Sequence, residues 1–128
     1  MEVKTYSDLI AWQKAVALVT DVYALTQNFP RREQYSLCDQ LQRAAVSVPS
    51  NIAEGRGRLS TREFIHSLGT ARGSLFEVET QIIIARNLGY ARIEETQPLL
   101  RSTAEVGRII NGLIESLRQN LRAQAAGH

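Results

Sequence analysis

The chain is poor in several things at once. It has a single cysteine, Cys38, in 128 residues, so no disulfide can close within it and a disulfide-stapled fold is excluded. Three prolines and eight glycines are too few for a collagen-like or low-complexity chain. No apolar run approaches the roughly 18 residues that a membrane helix needs, so no membrane association is expected. The opening ten residues lack a basic segment followed by an apolar one; no secretory signal is expected, and the expected location is the cytoplasm. No stretch carries a competing strand pattern.

Lysine is scarce as well, with two against 13 arginines. The net charge of +2 is a weak indicator of a polyanionic partner. Arginine suits bidentate phosphate contact, but a GC-rich genome produces the same bias, so position matters more than number.

What the chain has in quantity is apolar residues at helical spacing, in a length suited to one domain with one core. Helix one is expected over about 8–28, capped by Asp8, with a seam of Leu9, Trp12, Val16, Val19 and Tyr23 and Trp12 as a core anchor. Phe29 and Pro30 stop it. Helix two, about 33–54, aligns Leu37, Leu41, Ala44, Val48 and Ile52. Within it Pro49 removes the amide that would bond the Ala45 carbonyl, at about 3 kcal/mol. Two outcomes fit, a break at Val48 or a kinked continuation; the continuation is expected because Ile52 keeps the apolar phase. Gly55 is the expected left-handed residue at the helix end.

Helix three, about 61–88, opens with Ser60 and Glu63 as a capping box. Its seam is Phe64, Leu68, Ala71, Leu75, Val78, Ile82 and Ala85, and Gly89 closes it. Helix four, about 94–122, has Pro98 in or near its first turn and a seam of Leu99, Thr103, Val106, Ile110, Leu113 and Leu117. Four such helices on short connections predict an all-α, up-down-up-down antiparallel four-helix bundle, with helix two kinked near Pro49.

There is more apolar surface than one bundle uses. Helix one adds Ile10, Leu18, Val22 and Leu25 off its seam, and helix four adds Ile109 and Leu121. Helix three carries Phe76, Ile83 and Ile84 away from its seam, and Gly69 and Gly73 lie one turn apart on that outer side. A monomeric bundle does not bury opposite sides of one helix. A homo-oligomer is therefore expected, with Gly69, Gly73, Phe76, Ile83, Ile84, Leu100 and Ile114 as its candidate interface.

The catalytic inventory is thin. Cys38 has no histidine near it in sequence and reads as a buried structural thiol; His66 lies off the seam and His128 ends the chain. Glu63 and His66 make one Glu-x-x-His pair, where a carboxylate-bridged metal site needs two. Glu79, seven residues from both Arg72 and Arg86, is expected in a structural ion-pair row. Gly55-Arg56-Gly57-Arg58 lacks the ending of a P-loop. No enzyme, metal or cofactor is expected.

The arginines carry the remaining signal. Arg56, Arg58 and Arg62 fall within seven residues with no acid among them, beside the free amides opening helix three, a favourable place for an anion. Arg31 and Arg32 should lie at the opposite end. Arg101, Arg108 and Arg122 repeat at multiples of seven on helix four, interrupted by Glu115. Either these are a solvated surface or they contact nucleic-acid phosphates.

Three stretches carry a family resemblance: Asp8-Leu9-Ile10-Ala11-Trp12-Gln13-Lys14-Ala15, then Gln42 through Gly55, then Ala71 through Gln81 with Leu88-Gly89-Tyr90. Together they resemble the 23S rRNA-intervening-sequence proteins over nearly the whole chain. The resemblance implies a four-helix bundle that assembles as a five-fold ring, a homopentamer, with no catalytic residues. Some such proteins are encoded within sequences that interrupt the 23S rRNA gene. A similar group, the accessory proteins of diversity-generating retroelements, forms basic rings that work with a reverse transcriptase and bind nucleic acid.

The expectation is thus a ring-forming bundle that binds RNA or DNA, the alternative a scaffold for a protein partner. The central motif of Arg43, Ser47, Pro49, Asn51, Glu54 and Gly55 reads as a structural joint, with Asn51 and Glu54 tying down backbone groups freed at the proline.

Overall fold

The four segments of three-and-four apolar spacing form four α-helices in the computed structural model, which describes Tyr6 and residues 9–127. They are α1 (Ile10–Thr26), α2 (Leu37–Arg56), α3 (Thr61–Asn87) and α4 (Ile93–Ala126), with one 3-10 turn at Arg31–Glu33 and no strand among the described residues. Each helix packs on its neighbour in the chain and α1 closes the square against α4, while neither diagonal pair comes into backbone contact. The bundle is the one expected.

The seams of α2 and α3 are as read from the sequence. Leu41, Ala44, Val48 and Ile52 are buried on α2, as is every expected seam residue from Phe64 to Ala85 on α3. On α4, Leu99, Thr103, Val106 and Ile110 are buried, and Leu113 and Leu117 pack on the core more peripherally. Ile114, expected at an oligomer interface, is instead a core residue at 4% exposure. Leu100 also packs partly on the core.

On α1 the expected seam holds only in part: Leu9 is buried and Trp12 and Val19 pack on the edge of the core, while Val16 and Tyr23 do not enter it. The residues that enter the core are Ala11, Ala15, Leu18, Val22 and Leu25. Val16 and Tyr23 are 38% and 41% exposed, and Trp12 and Val19 are only partly buried. Apolar residues stand around most of this helix, so the same rhythm runs along two parallel stripes. Packing selects the stripe holding Ala11 and Ala15, because small residues let neighbouring helices approach closely and fill the space without voids.

Several ends also differ. The Asp8 cap lies outside the described residues; Leu9 precedes α1 and offers no side-chain cap. α2 starts at Leu37 rather than 33, because the Glu33 carboxylate accepts from the Ser36 hydroxyl and the Leu37 amide and holds the chain in a turn. α2 then runs unbroken through Pro49, which settles the continuation over the break. Gly55 is not left-handed: it sits inside α2, and Gly89 is the one positive-φ residue among those described, at φ 79°. Gly89 closes α3 as expected, with the Tyr90 amide bonding the Ala85 carbonyl at 2.9 Å and the Gly89 amide that of Arg86 at 3.0 Å, a Schellman closure. Pro98 lies in the second turn of α4, which begins at Ile93.

Candidate nucleic-acid interface

The turn between α2 and α3 is set by contact of the two helices at Gly55. A Cβ there would stand 2.5 Å from Ser67 Cβ and 3.0 Å from Phe64 Cδ1, so the last turn of α2 lies directly on the first turns of α3. The chain reverses over Gly57–Ser60, and the Ser60 hydroxyl accepts the Glu63 amide at 3.0 Å. Among the described residues the reciprocal bond from Ser60 to the Glu63 side chain does not form; Glu95 makes such a bond instead, accepting the Arg92 amide at 2.9 Å at the start of α4. Its carboxyl is held below the usual glutamate range, first by that backbone amide and then by the Arg92 side chain.

Behind the turn, a hydrogen-bonded chain joins the two helices. The Asn51 amide nitrogen donates to the Ser47 carbonyl at 2.8 Å and to the Ser47 hydroxyl at 2.9 Å. Ser47 and Ser74 hydroxyls meet at 2.8 Å across the α2–α3 contact. Asn51 therefore holds the Ser47 carbonyl and hydroxyl, not the Ala45 carbonyl that Pro49 leaves without its amide. Glu54 holds none of these: its carboxylate pairs with Arg58. Arg43 also stands apart from the joint, paired with Asp39 at the surface.

This geometry brings Arg56, Arg58 and Arg62 to one end of the bundle. Arg58 and Arg62 line a cleft of about 570 Å³ with Asn51, Glu63, His66 and Thr70. Arg56 and Arg58 border a second, of about 370 Å³, with Leu9, Phe64, Leu113 and Leu117. No acid lies among Arg56, Arg58 and Arg62 in the chain, but Glu54, one helical turn before Arg58, pairs with it, and Glu63, next to Arg62, lines the same cleft. The cluster is less basic than its sequence.

The other nominated arginines lie elsewhere. Arg31 and Arg32 stand at the opposite end, where the Arg32 guanidinium lies 5.8 Å from the centre of the Tyr90 ring. The Tyr90 hydroxyl donates to Glu33 at 2.8 Å, so one tyrosine pins the α1–α2 connection to the α3–α4 connection. Glu33 is held below the usual glutamate range by its Ser36 and Tyr90 hydrogen bonds, with smaller help from the Leu37 amide and Arg32. Sequence reading missed Tyr90, whose one signal was its place after Gly89. Arg101 and Arg108 flank Glu105 along α4, and Arg122 pairs with Glu115 at 3.0 Å. The structure thus divides the eight arginines among the two ends and the outer side of α4.

The expected ion-pair row on α3 is a row of hydrogen bonds to α4. The Thr103 hydroxyl donates to Glu79 at 3.2 Å, and Arg72 donates to Asn111 at 2.9 Å. Cys38 is buried on the Thr26 carbonyl, and burial, with the Glu33 charge behind it, pushes its thiol up, the reverse of what a nucleophile needs. No group of three or more His, Cys, Asp or Glu residues placed to hold a metal occurs among the described residues. No described helix is long and apolar enough to cross a membrane.

The model of the family described as "23S rRNA-intervening sequence protein" matches residues 7–112. Among solved structures, a protein of unknown function from the S23 ribosomal protein family of Bacteroides thetaiotaomicron VPI-5482 superposes with a TM-score of 0.77 at 18% identity, covering 83% of this chain and 96% of that one. At that identity the likeness shows the fold alone. No curated protein matches the chain.

Proposed function

The chain belongs to the 23S rRNA-intervening sequence protein family, and from that premise we propose that it is a non-catalytic, ring-forming homo-oligomer that binds RNA or DNA through its arginines. The observation that carries the reading is the state of those side chains. Of the eight nominated, Arg31, Arg32, Arg62, Arg101 and Arg108 form no ion pair among the described residues. A guanidinium without a carboxylate is free to replace the counterions of a phosphate backbone, which gives affinity that depends on salt and little on sequence.

Binding of a structured RNA and of duplex DNA, measured by fluorescence anisotropy at increasing KCl, tests this. Affinity should fall linearly on a log–log plot. Arg62→Ala and Arg101→Ala should each weaken binding and flatten the slope by about 1. No binding at low salt would reject the nucleic-acid role. The second reading, a scaffold for another protein, is favoured by Phe76, which is 55% exposed on α3 with no close ring partner among the described residues; it gains if salt titration detects nothing.

A further inference from the structure

The hydrogen-bonded chain behind the α2–α3 turn leaves one polar atom over. The Asn51 side chain lies against the Ser47 carbonyl at 2.8 Å and the Ser47 hydroxyl at 2.9 Å. A carbonyl can only accept, so the Asn51 atom facing it is the amide nitrogen. Both amide hydrogens are then committed, and the side chain cannot flip without losing both bonds. Oδ1, on the other arm of the planar amide, meets no donor among the described residues. Nor is it sealed in: the enclosed side-chain atom without a partner among those residues is Gln81 Oε1. Asn51 instead lines the open cleft of about 570 Å³ beside the start of α3, a volume in the range of small-ligand sites.

The rest of the wall decides what such an acceptor can meet. Arg62 brings a guanidinium with no ion pair among the described residues, while Arg58 is held by Glu54. Glu63 lines the cleft as well. Two carboxylates in one small wall keep it from being a plain phosphate trap, so contact with an uncharged group must contribute. No aromatic ring of Phe, Tyr or Trp and no large aliphatic side chain lines it, so a base finds none of the stacking platforms that single-strand binders use. A fixed acceptor sharing a polar wall with an unpaired guanidinium fits a hydroxyl next to a phosphate.

We infer that this cleft reads the sugar of RNA: Asn51 Oδ1 accepts the 2′-hydroxyl of a ribonucleotide whose phosphate lies on Arg62. The 2′-hydroxyl is what lets a protein tell RNA from DNA at a given position. Deoxyribose turns a C–H toward Oδ1, so the phosphate contact remains and the hydrogen bond is lost. The inference rests on nucleic-acid binding through the arginines and adds the class of strand. A free ribonucleotide offers the same two groups, and the experiment separates it from a strand.

Fluorescence anisotropy at low KCl compares single-stranded oligouridylate with 2′-fluoro and 2′-deoxy strands of the same sequence and length. The 2′-fluoro sugar keeps the ribose pucker but cannot donate. The parent chain should bind RNA about fivefold more tightly than either analogue, the worth of one hydrogen bond. Asn51→Ala should bring all three strands to the level of the deoxy strand with an unchanged salt slope. Arg62→Ala should weaken all three alike and keep the preference. Thr70, exposed on the same wall, gives a variant that leaves the Ser47 bonds untouched: Thr70→Leu fills the cleft and should remove the preference even if Asn51→Ala loses its helical circular dichroism. Equal binding of the three strands by the parent chain, or a preference that survives in folded Asn51→Ala or in Thr70→Leu, overturns the sugar contact and leaves the arginine reading standing. AMP binding as tightly as the RNA strand makes the occupant a free nucleotide and overturns the strand. If no strand binds at low salt, the sugar contact and the nucleic-acid role fall together.

Discussion

At Gly55 the absence of a side chain is what the structure uses. Its backbone rests on Ser67 and Phe64, so Gly55→Ala forces two helices apart although alanine is the better helix former. Overpacking of this kind costs about 1–3 kcal/mol, against a propensity gain of roughly 1 kcal/mol, and urea denaturation should show a net loss of stability. Tyr90 works through its hydroxyl at the other end, on Glu33. Because the Glu33 carboxyl is held below its ordinary range, its contribution is fully present above the unfolded value. It is lost as pH falls through the folded one. Thermal melts across the acidic range should therefore lose stability less steeply in Glu33→Gln and in Tyr90→Phe than in the parent chain. An identical pH profile would remove Glu33 from the account.

Among the elements, α2 and α3 are tied by a hydrogen-bonded chain as well as by apolar contact. Ser47→Ala leaves Ser74 and Asn51 without their shared partner and should cost about 1–2 kcal/mol. Ser47→Ala with Ser74→Ala should cost less than the two single changes added, since the second removes a group the first left unpaired; a double-mutant cycle in urea reads the coupling. α1 shows how far periodicity carries. On α3 the seam from Phe64 to Ala85 is long and unbroken, the second apolar set of Phe76, Ile83 and Ile84 is short, and the buried apolar residues were legible one by one. On α1 two stripes share one rhythm. Choosing between them required knowing that Ala11 and Ala15, weak signals by size, are fully buried in the core. Gly55 was legible as special and misread in kind: glycine serves left-handed turns and close approaches alike, and only the position of Ser67 decides which.

For the whole molecule, the separation of packing from charge is testable at the end of α4. Residues from Arg122 onward are exposed to Gly127, and the Arg122–Glu115 pair lies at the surface, where such a pair contributes little. Removing residues 122–128 should leave unfolding stability within about 0.5 kcal/mol while weakening nucleic-acid binding at low salt. A large loss of stability would mean that this end packs on something beyond its own chain.

The sequence by itself determined the number of helices, the cores of α2 and α3, the closure of α3 at Gly89 and the family, because each depends on neighbours three, four or a few residues away. Tertiary structure decided which α1 stripe is buried, that Ile114 lies inside, that Gly55 is a contact rather than a turn, and that Tyr90 meets Glu33. Those outcomes depend on which residues from distant segments come within a few ångströms. A helical period fixes which side chains share a face, but not what that face meets.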